Sequence, residues 1–184
     1  MGRLPMKKAA RESVSNHLVQ AARDGDQDAL SLLIERSQPH LYRFCLYLTG
    51  DPRLSEDLCQ DTYVKVIERL KSLREPGDFR GWLYRMAKNL YIDQWRRAKK
   101  REVVLLDPAQ ECQGAPAGPM PELVLQIRSA LACLDLESQV LLLLIDQQGY
   151  SYEEASKILG ISQAAVTSRI HRIRRTFWKA YEKP

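Results

Sequence analysis

Residues 107–121 hold Pro108, Gly114, Pro116, Gly118, Pro119 and Pro121, six helix breakers in fifteen positions. Neither a helix nor a central strand survives that density, because each proline removes a backbone donor and fixes φ while glycine resists ordering. The chain must therefore build its structure on either side. The reading is a tail over 1–14, a first lobe over 15–101, a linker over 102–120 and a second lobe over 121–184. A total of 184 residues suits two small lobes, each still able to bury a core.

Outside the breaker segment the apolar pattern is helical, with no alternating strand pattern and no fixed repeat, so the fold class is all-α. Leu30, Leu33, Ile34, Leu41, Phe44, Cys45 and Leu48 fall on one stripe, interrupted by Pro39, which leaves one kinked helix or two. Thr49-Gly50-Asp51-Pro52 is turn chemistry. A helix from about Ser55 to Leu73 follows, with Cys59, Tyr63, Val66, Leu70 and Leu73 as its packed seam and Glu56, Asp57, Gln60 and Asp61 on the opposite surface. Glu75-Pro76-Gly77-Asp78 breaks the chain again before a long helix over Arg80–Lys100, whose apolar members are Trp82, Leu83, Met86, Leu90 and Trp95. Beyond the linker, helices are expected over 122–133, 137–147, Tyr152–Leu159 and Gln163–Tyr181. The second is so apolar from Val140 to Ile145 that protein must nearly surround it.

Charge is unevenly placed. Residues 85–101 carry seven basic groups against one acidic, 102–161 carry two against nine, and 162–184 carry six against one. Two cationic blocks on helical sequence, separated by an acidic stretch, suit two separate contacts with a polyanion. The alternative is a pair of solvated basic faces.

The second cationic block belongs to a recognisable motif. Ser151-Tyr152-Glu153-Glu154 is a capping box. Gly160 supplies the positive φ of a tight turn, Ile161 packs inward, and Ser162 caps the next helix. In that helix Val166, Ile170, Ile173 and Phe177 form a buried face. A short helix, a glycine turn and a longer basic helix with a small polar start make a helix-turn-helix, which lays its second helix in the major groove. In the first block, Phe79–Arg97 interleaves aromatics with cations, as suits partly melted nucleic acid. Trp82, Met86 and Leu90 lie at four-residue steps and read as core, so Arg85, Lys88, Arg96 and Arg97 are the better DNA candidates. Asp93 reads as an internal partner rather than an acid catalyst.

These residues resemble a known family. Leu54–Val66, then Phe79–Asn89, then Asp93-Gln94-Trp95-Arg96-Arg97 are similar to regions 2.2 to 2.4 of bacterial sigma factors, nearest the extracytoplasmic-function (ECF) group of the sigma-70 family. Tyr150–Ser162 with Val166–Arg174 resembles that family's region 4.2. The resemblance implies a transcription initiation factor that joins core RNA polymerase, directs it to a two-part promoter and helps open the duplex. It implies that Asp57, Gln60, Asp61 and Tyr63 face core polymerase. For the minus-ten element it implies the loop Leu73–Phe79 and the helix after it, including Phe79, Arg80, Arg85, Lys88, Asn89, Arg96 and Arg97. For the minus-thirty-five element it implies Ser162, Gln163, Thr167, Ser168, Arg169, His171, Arg172 and Arg175, with Arg169 and Arg175 as phosphate clamps or internal partners. An anti-sigma protein is a further implied partner. The sequence departs from the family pattern at Ala164-Ala165, where Gly-Thr is usual, and at Thr167, Ser156 and Gln139.

Other classes find less support. An ordinary helix-turn-helix regulator would bind a duplex site tightly without polymerase. A helical interaction protein with no DNA role would not need two cationic blocks. An enzyme would need a Walker loop, a dinucleotide glycine run or metal-ligand spacing, and His17, His40 and His171 offer none, so neither cofactor nor metal is expected. Cys45, Cys59, Cys112 and Cys133 read as reduced, mostly buried thiols of a cytoplasmic protein. No apolar run is long enough for stable membrane insertion.

Overall fold

The computed structural model describes residues 14–102 and 122–182, with only the backbone of 98–102. The expected tail apart from Val14, and the expected linker apart from Glu102, lie outside these residues. All regular structure among the described residues is helical. In the first lobe these are α1 (Asn16–Asp24), α2 (Gln27–Thr49), α3 (Pro52–Arg69) and α4 (Phe79–Glu102), with 3-10 turns at Leu70–Ser72 and Pro76–Asp78. The second lobe contains α5 (Glu122–Ala132), α6 (Leu136–Leu142) running into a π-helical turn (Leu143–Gln147), α7 (Tyr152–Leu159) and α8 (Gln163–Tyr181).

Side-chain caps set most boundaries. Asp26 accepts from Asp28 and Ala29 N–H, and Asp51 accepts from Arg53 and Leu54 N–H, starting α2 and α3. Pro52 fits the first turn of α3, where its missing N–H is unneeded. Pro39 does not divide α2. Pro39 and Glu35, whose carbonyl loses its intrahelical donor, are both exposed residues on one side of the continuous helix, where water can serve in its place. Helix α1 has no counterpart among the sequence-based helices: it is one short amphipathic element, capped by Ser15, with Val19 and Ala22 buried.

The first core gathers Leu33, Leu41, Phe44, Leu58, Val66 and Leu83, all nearly sealed from solvent. The expected α3 seam is buried throughout. In the second lobe every residue from Val140 to Ile145 is buried, as its composition requires, and Ile127, Ile170 and Phe177 close around it. One expectation needs correcting: Trp95 is 46% exposed rather than packed in the α4 seam. Cys45 and Cys59 are buried and Cys133 is exposed, while Cys112 lies outside the described residues.

Asp135 holds the start of α6, accepting from the Ser138 N–H at 2.9 Å and the Ser138 hydroxyl at 2.8 Å. Partial burial pushes its carboxyl up, but these donors outweigh that and hold it below the usual carboxylate value. A depressed folded-state value means the stabilisation is present above the unfolded value and fades as pH falls through the folded one. Asp135→Ala should therefore cost about 1 kcal/mol near neutral pH. Denaturant titrations should show the wild-type and variant curves converging in the acid limb, below the ordinary aspartate range.

Candidate polymerase and nucleic-acid interfaces

Helix α3 presents Asp57, Gln60 and Asp61 to solvent. Asp61 accepts from the Gln94 side chain at 3.1 Å, which ties this face to α4. Tyr63 does not belong to that face. It is buried, its hydroxyl lies 2.9 Å from the buried Ser37 hydroxyl, and burial pushes the phenol well above its ordinary value. Two residues that the sequence reading passed over do belong to it: Val64 and Ile67, 52% and 53% exposed. Val64 stands four residues after Gln60 and three after Asp61, and Ile67 three after Val64, so they extend the same helical surface. Their signal was present as apolar residues off the Cys59–Leu73 seam.

The loop after α3 is positioned from α1. Arg23 donates to the Leu73 and Arg74 carbonyls at 2.9 and 3.1 Å, and Gln20 accepts from its other terminal nitrogen at 2.7 Å. The missed helix α1 is therefore the brace for the loop, and no motif in its own sequence advertised that.

Along α4 the candidate residues separate by environment. Phe79 is a core residue, 1% exposed and tilted against Trp82, so its expected DNA contact is corrected. Burial pushes the Tyr84 phenol up to about 12 against the pull of the Arg80 and Arg43 guanidiniums. Arg80 is half-buried beside it, with Nη2 buried and lacking a hydrogen-bond partner among the described residues. Asn89, Arg96 and Arg97 are exposed. Lys88 lines a cleft between the lobes with Ile92, Glu137, Leu141 and Arg169. Desolvation there holds its ammonium below the ordinary lysine value, partly countered by Glu137. Arg85 reaches across to α7, donating to Lys157 and Ile158 carbonyls at 2.7 and 3.1 Å.

The helix-turn-helix has the local geometry its sequence requires. Ser151 accepts from Glu154 N–H at 3.2 Å while the Glu154 carboxylate accepts from Ser151 N–H at 2.8 Å. Gly160 ends α7 at φ +70°, a left-handed conformation that a side chain would strain. Ser162 caps α8 by accepting from Ala165 N–H. Ser162, Gln163, Thr167, Ser168, His171, Arg172 and Arg175 are all exposed. Thr167 and Ser168 donate back to helix carbonyls, which leaves their oxygen lone pairs outward. Arg169 lies 3.5 Å from Glu137. Arg174 is committed internally: it donates to both Asp146 oxygens at 3.0 and 2.7 Å and to the Tyr152 hydroxyl at 3.4 Å. Among the described residues no cluster of His, Cys, Asp and Glu could hold a metal, and no helix is long and apolar enough to cross a membrane.

An all-helical pair of lobes, one with a capped helix-turn-helix and one with an exposed acidic and apolar helix beside a cationic one, is the architecture of a bipartite DNA-directing factor. Residues 33–101 match the model for sigma-70 region 2, and residues 125–177 match that for sigma-70 region 4. The chain is 33% identical over 159 residues to the ECF RNA polymerase sigma factor SigE of Mycolicibacterium smegmatis, covering 80% of this chain and 61% of that one. It is 33% identical over 153 residues to the RNA polymerase sigma factor CarQ of Myxococcus xanthus, covering 82% of this chain and 87% of that one. Among solved structures, CnrH in complex with the cytosolic domain of CnrY superposes with a TM-score of 0.69 at 27% identity, covering 89% of this chain and 94% of that one. The sigma factor RpoE of Bartonella quintana, in complex with the anti-sigma factor NepR, superposes with a TM-score of 0.64 at 25% identity, covering 86% and 96%. The chain belongs to the ECF group of the sigma-70 family.

Proposed function

We propose that this chain is an alternative sigma factor that binds core RNA polymerase, directs it to specific promoters and assists DNA melting, without itself catalysing a reaction. In this reading residues 15–101 bind core polymerase and the minus-ten element, and 121–184 bind the minus-thirty-five element. The polymerase face is Asp57, Gln60 and Asp61 with Val64 and Ile67. The minus-ten contacts are Arg80, Arg85, Lys88, Asn89, Arg96 and Arg97. The minus-thirty-five contacts are the exposed residues of α8, with Arg169 as a phosphate contact. The single observation that supports the reading is the presence, in one chain of this family, of an exposed acidic and apolar face on α3 and a capped helix-turn-helix whose outward residues carry hydrogen-bonding groups. An anti-sigma protein is the further partner, by analogy with the Bartonella complex, and the working compartment is the cytoplasm. No specific observation favours a regulator acting without polymerase.

Run-off transcription with core polymerase and genomic promoter fragments tests this. Specific start sites that appear only when the chain is added are expected. Their absence on every template, with tight binding of free duplex instead, would favour the regulator. Within the reading, Arg172→Ala should reduce discrimination at the upstream element by ~1–3 kcal/mol if the guanidinium reads a base edge. Competition binding with wild-type and altered upstream elements measures it, and a uniform loss across sequences would reassign Arg172 to phosphate.

A further inference from the structure

Arg23, half-buried in the last turn of α1, turns its guanidinium towards the main chain of a loop distant in sequence. Its Nη1 donates to the Leu73 carbonyl at 2.9 Å and the Arg74 carbonyl at 3.1 Å, while Nη2 donates to Gln20 Oε1 at 2.7 Å. The Gln20 amide in turn donates to both Asp24 carboxylate oxygens, at 2.9 and 2.8 Å. This relay fixes the planar fork of the guanidinium before it reaches the loop. Helix α1 is itself anchored by Val19 and Ala22 in the core. At its other end Asn16 lies against the turn Pro76–Asp78, its side-chain amide 3.7 Å from where a Cβ on Gly77 would stand, an ordinary contact distance. About two turns of one helix therefore support the loop near its start and near its end.

The supported segment is an exposed strip between two buried anchors. Leu73 and Phe79 are 5% and 1% exposed, whereas Arg74, Glu75, Gly77 and Asp78 face solvent. Inside the strip the Asp78 N–H donates to the Glu75 carbonyl at 3.0 Å. A strip this short and this exposed gains little order from its own bonds, so its shape depends on the brace beneath it. Arg74, Glu75 and Asp78 bring donors and acceptors of the kind that read base edges. Arg23 meets main-chain carbonyls, so its grip is indifferent to the side chains the strip carries and leaves them facing outward.

The consequence for recognition is selective. A base taken from the stack loses free energy that only a well-formed partner returns. Cognate binding therefore scales with the fraction of chains whose loop already has the correct shape. A mismatched base gains nothing from that shape and relies on the cations of α4. Loosening the loop lowers cognate binding and leaves mismatched binding where it was, so the brace governs discrimination rather than overall affinity.

We infer that Arg23 is a positioning residue for minus-ten specificity: from outside the DNA-contacting surface it holds the Leu73–Phe79 loop in the shape that tells one base from another. This rests on the reading of residues 15–101 as the module that takes the minus-ten element. The test assembles the full chain, as wild type, Arg23→Ala and Arg23→Lys, with core polymerase. Each holoenzyme is offered a promoter fragment found by run-off transcription and randomised through its minus-ten segment. Sequencing the fragments held in heparin-resistant complexes gives the base preference at every position. Arg23→Ala should flatten the preference about tenfold at the position the loop serves, through loss of two bonds from a charged donor. Preference at the other positions and at the upstream element should stay, with the melting temperature within about 3 °C of wild type. In the free chain, hydrogen exchange at the Asp78 amide should quicken while the core amides of α2 and α3 keep their protection. Arg23→Lys keeps the charge without the fork and should flatten the preference less. If Arg23→Ala does not fold, Arg23→Lys decides by the same readings. A variant with the wild-type preference at every position would overturn the inference. So would an equal loss at all positions with a lower melting temperature, the pattern of a residue that only supports the fold. A wild type that selects no start site on any template would instead sink the sigma-factor reading, and the positioning role with it.

Discussion

Val64→Glu combined with Ile67→Glu is expected to abolish retention of the chain on core RNA polymerase while leaving its melting temperature within about 3 °C of wild type. Both side chains are more than half exposed, so the fold takes little from them. They stand beside Asp57, Gln60 and Asp61 on one continuous surface of α3. Protein interfaces draw most of their affinity from a few well-desolvated anchors, and truncating one commonly costs about 2 kcal/mol or more. Introducing two carboxylates adds the cost of desolvating charge, so a thousandfold loss of affinity, about 4 kcal/mol, is the expected scale. Asp57→Ala with Asp61→Ala should do less. These carboxylates are rim groups exposed to water, and their contribution should appear mainly as slower association and weaker dependence on salt. Immobilised core polymerase with chain titrated over it at two salt concentrations separates the two effects. Undiminished binding by the double glutamate variant would remove α3 as the docking surface.

Most of this fold was legible because its determinants are local. The capping box at Ser151, the turn at Gly160 and the four-three-four spacing of Val166, Ile170, Ile173 and Phe177 each follow from neighbours in sequence, and each stands in the structure as the spacing implies. What was less legible depends on contacts distant in sequence. Pro39 looked capable of dividing α2 because which side of the helix Pro39 and Glu35 face is a tertiary property, and both prove exposed. Helix α1 takes its importance from Arg23 bracing a loop fifty residues away. Tyr63 and Phe79 carried roles through motif position, yet helical phase and neighbouring helices place both inside. Tyr63 already lay on the seam with Cys59 and Val66, so its burial was the better inference from spacing alone. The inter-lobe contacts were invisible, since nothing in sequence relates Arg85 to Ile158 or Arg128 to Gly50.

Arginines on α8 separate in the same way, and Arg172 and Arg174 should give opposite phenotypes although one residue lies between them. Arg172 is exposed, so Arg172→Ala should leave stability within about 0.5 kcal/mol of wild type while weakening DNA recognition. Arg174 is held by Asp146 and Tyr152, and its pairing with Asp146 raises it above the ordinary arginine value. Asp146→Ala would leave a partly buried guanidinium without its carboxylate. The side chains of the pair are 27% and 16% exposed, which lowers the expected cost from that of a fully sealed pair to about 2–3 kcal/mol. In a chain of this size that is a fall of roughly 4–12 °C in melting temperature. The pair also joins α8 to the π-helical turn, so losing it should let the recognition helix roll and weaken binding to all duplexes alike. Replacing both partners with apolar residues, Asp146→Leu with Arg174→Met, removes the uncompensated charge and should recover most of the stability. If Arg174 instead served as a DNA contact, Asp146→Ala would free it, and affinity for DNA would rise while stability changed little. Thermal melts and duplex binding on the same three proteins distinguish the two arrangements: an internal strut loses stability first, whereas a phosphate contact loses affinity alone.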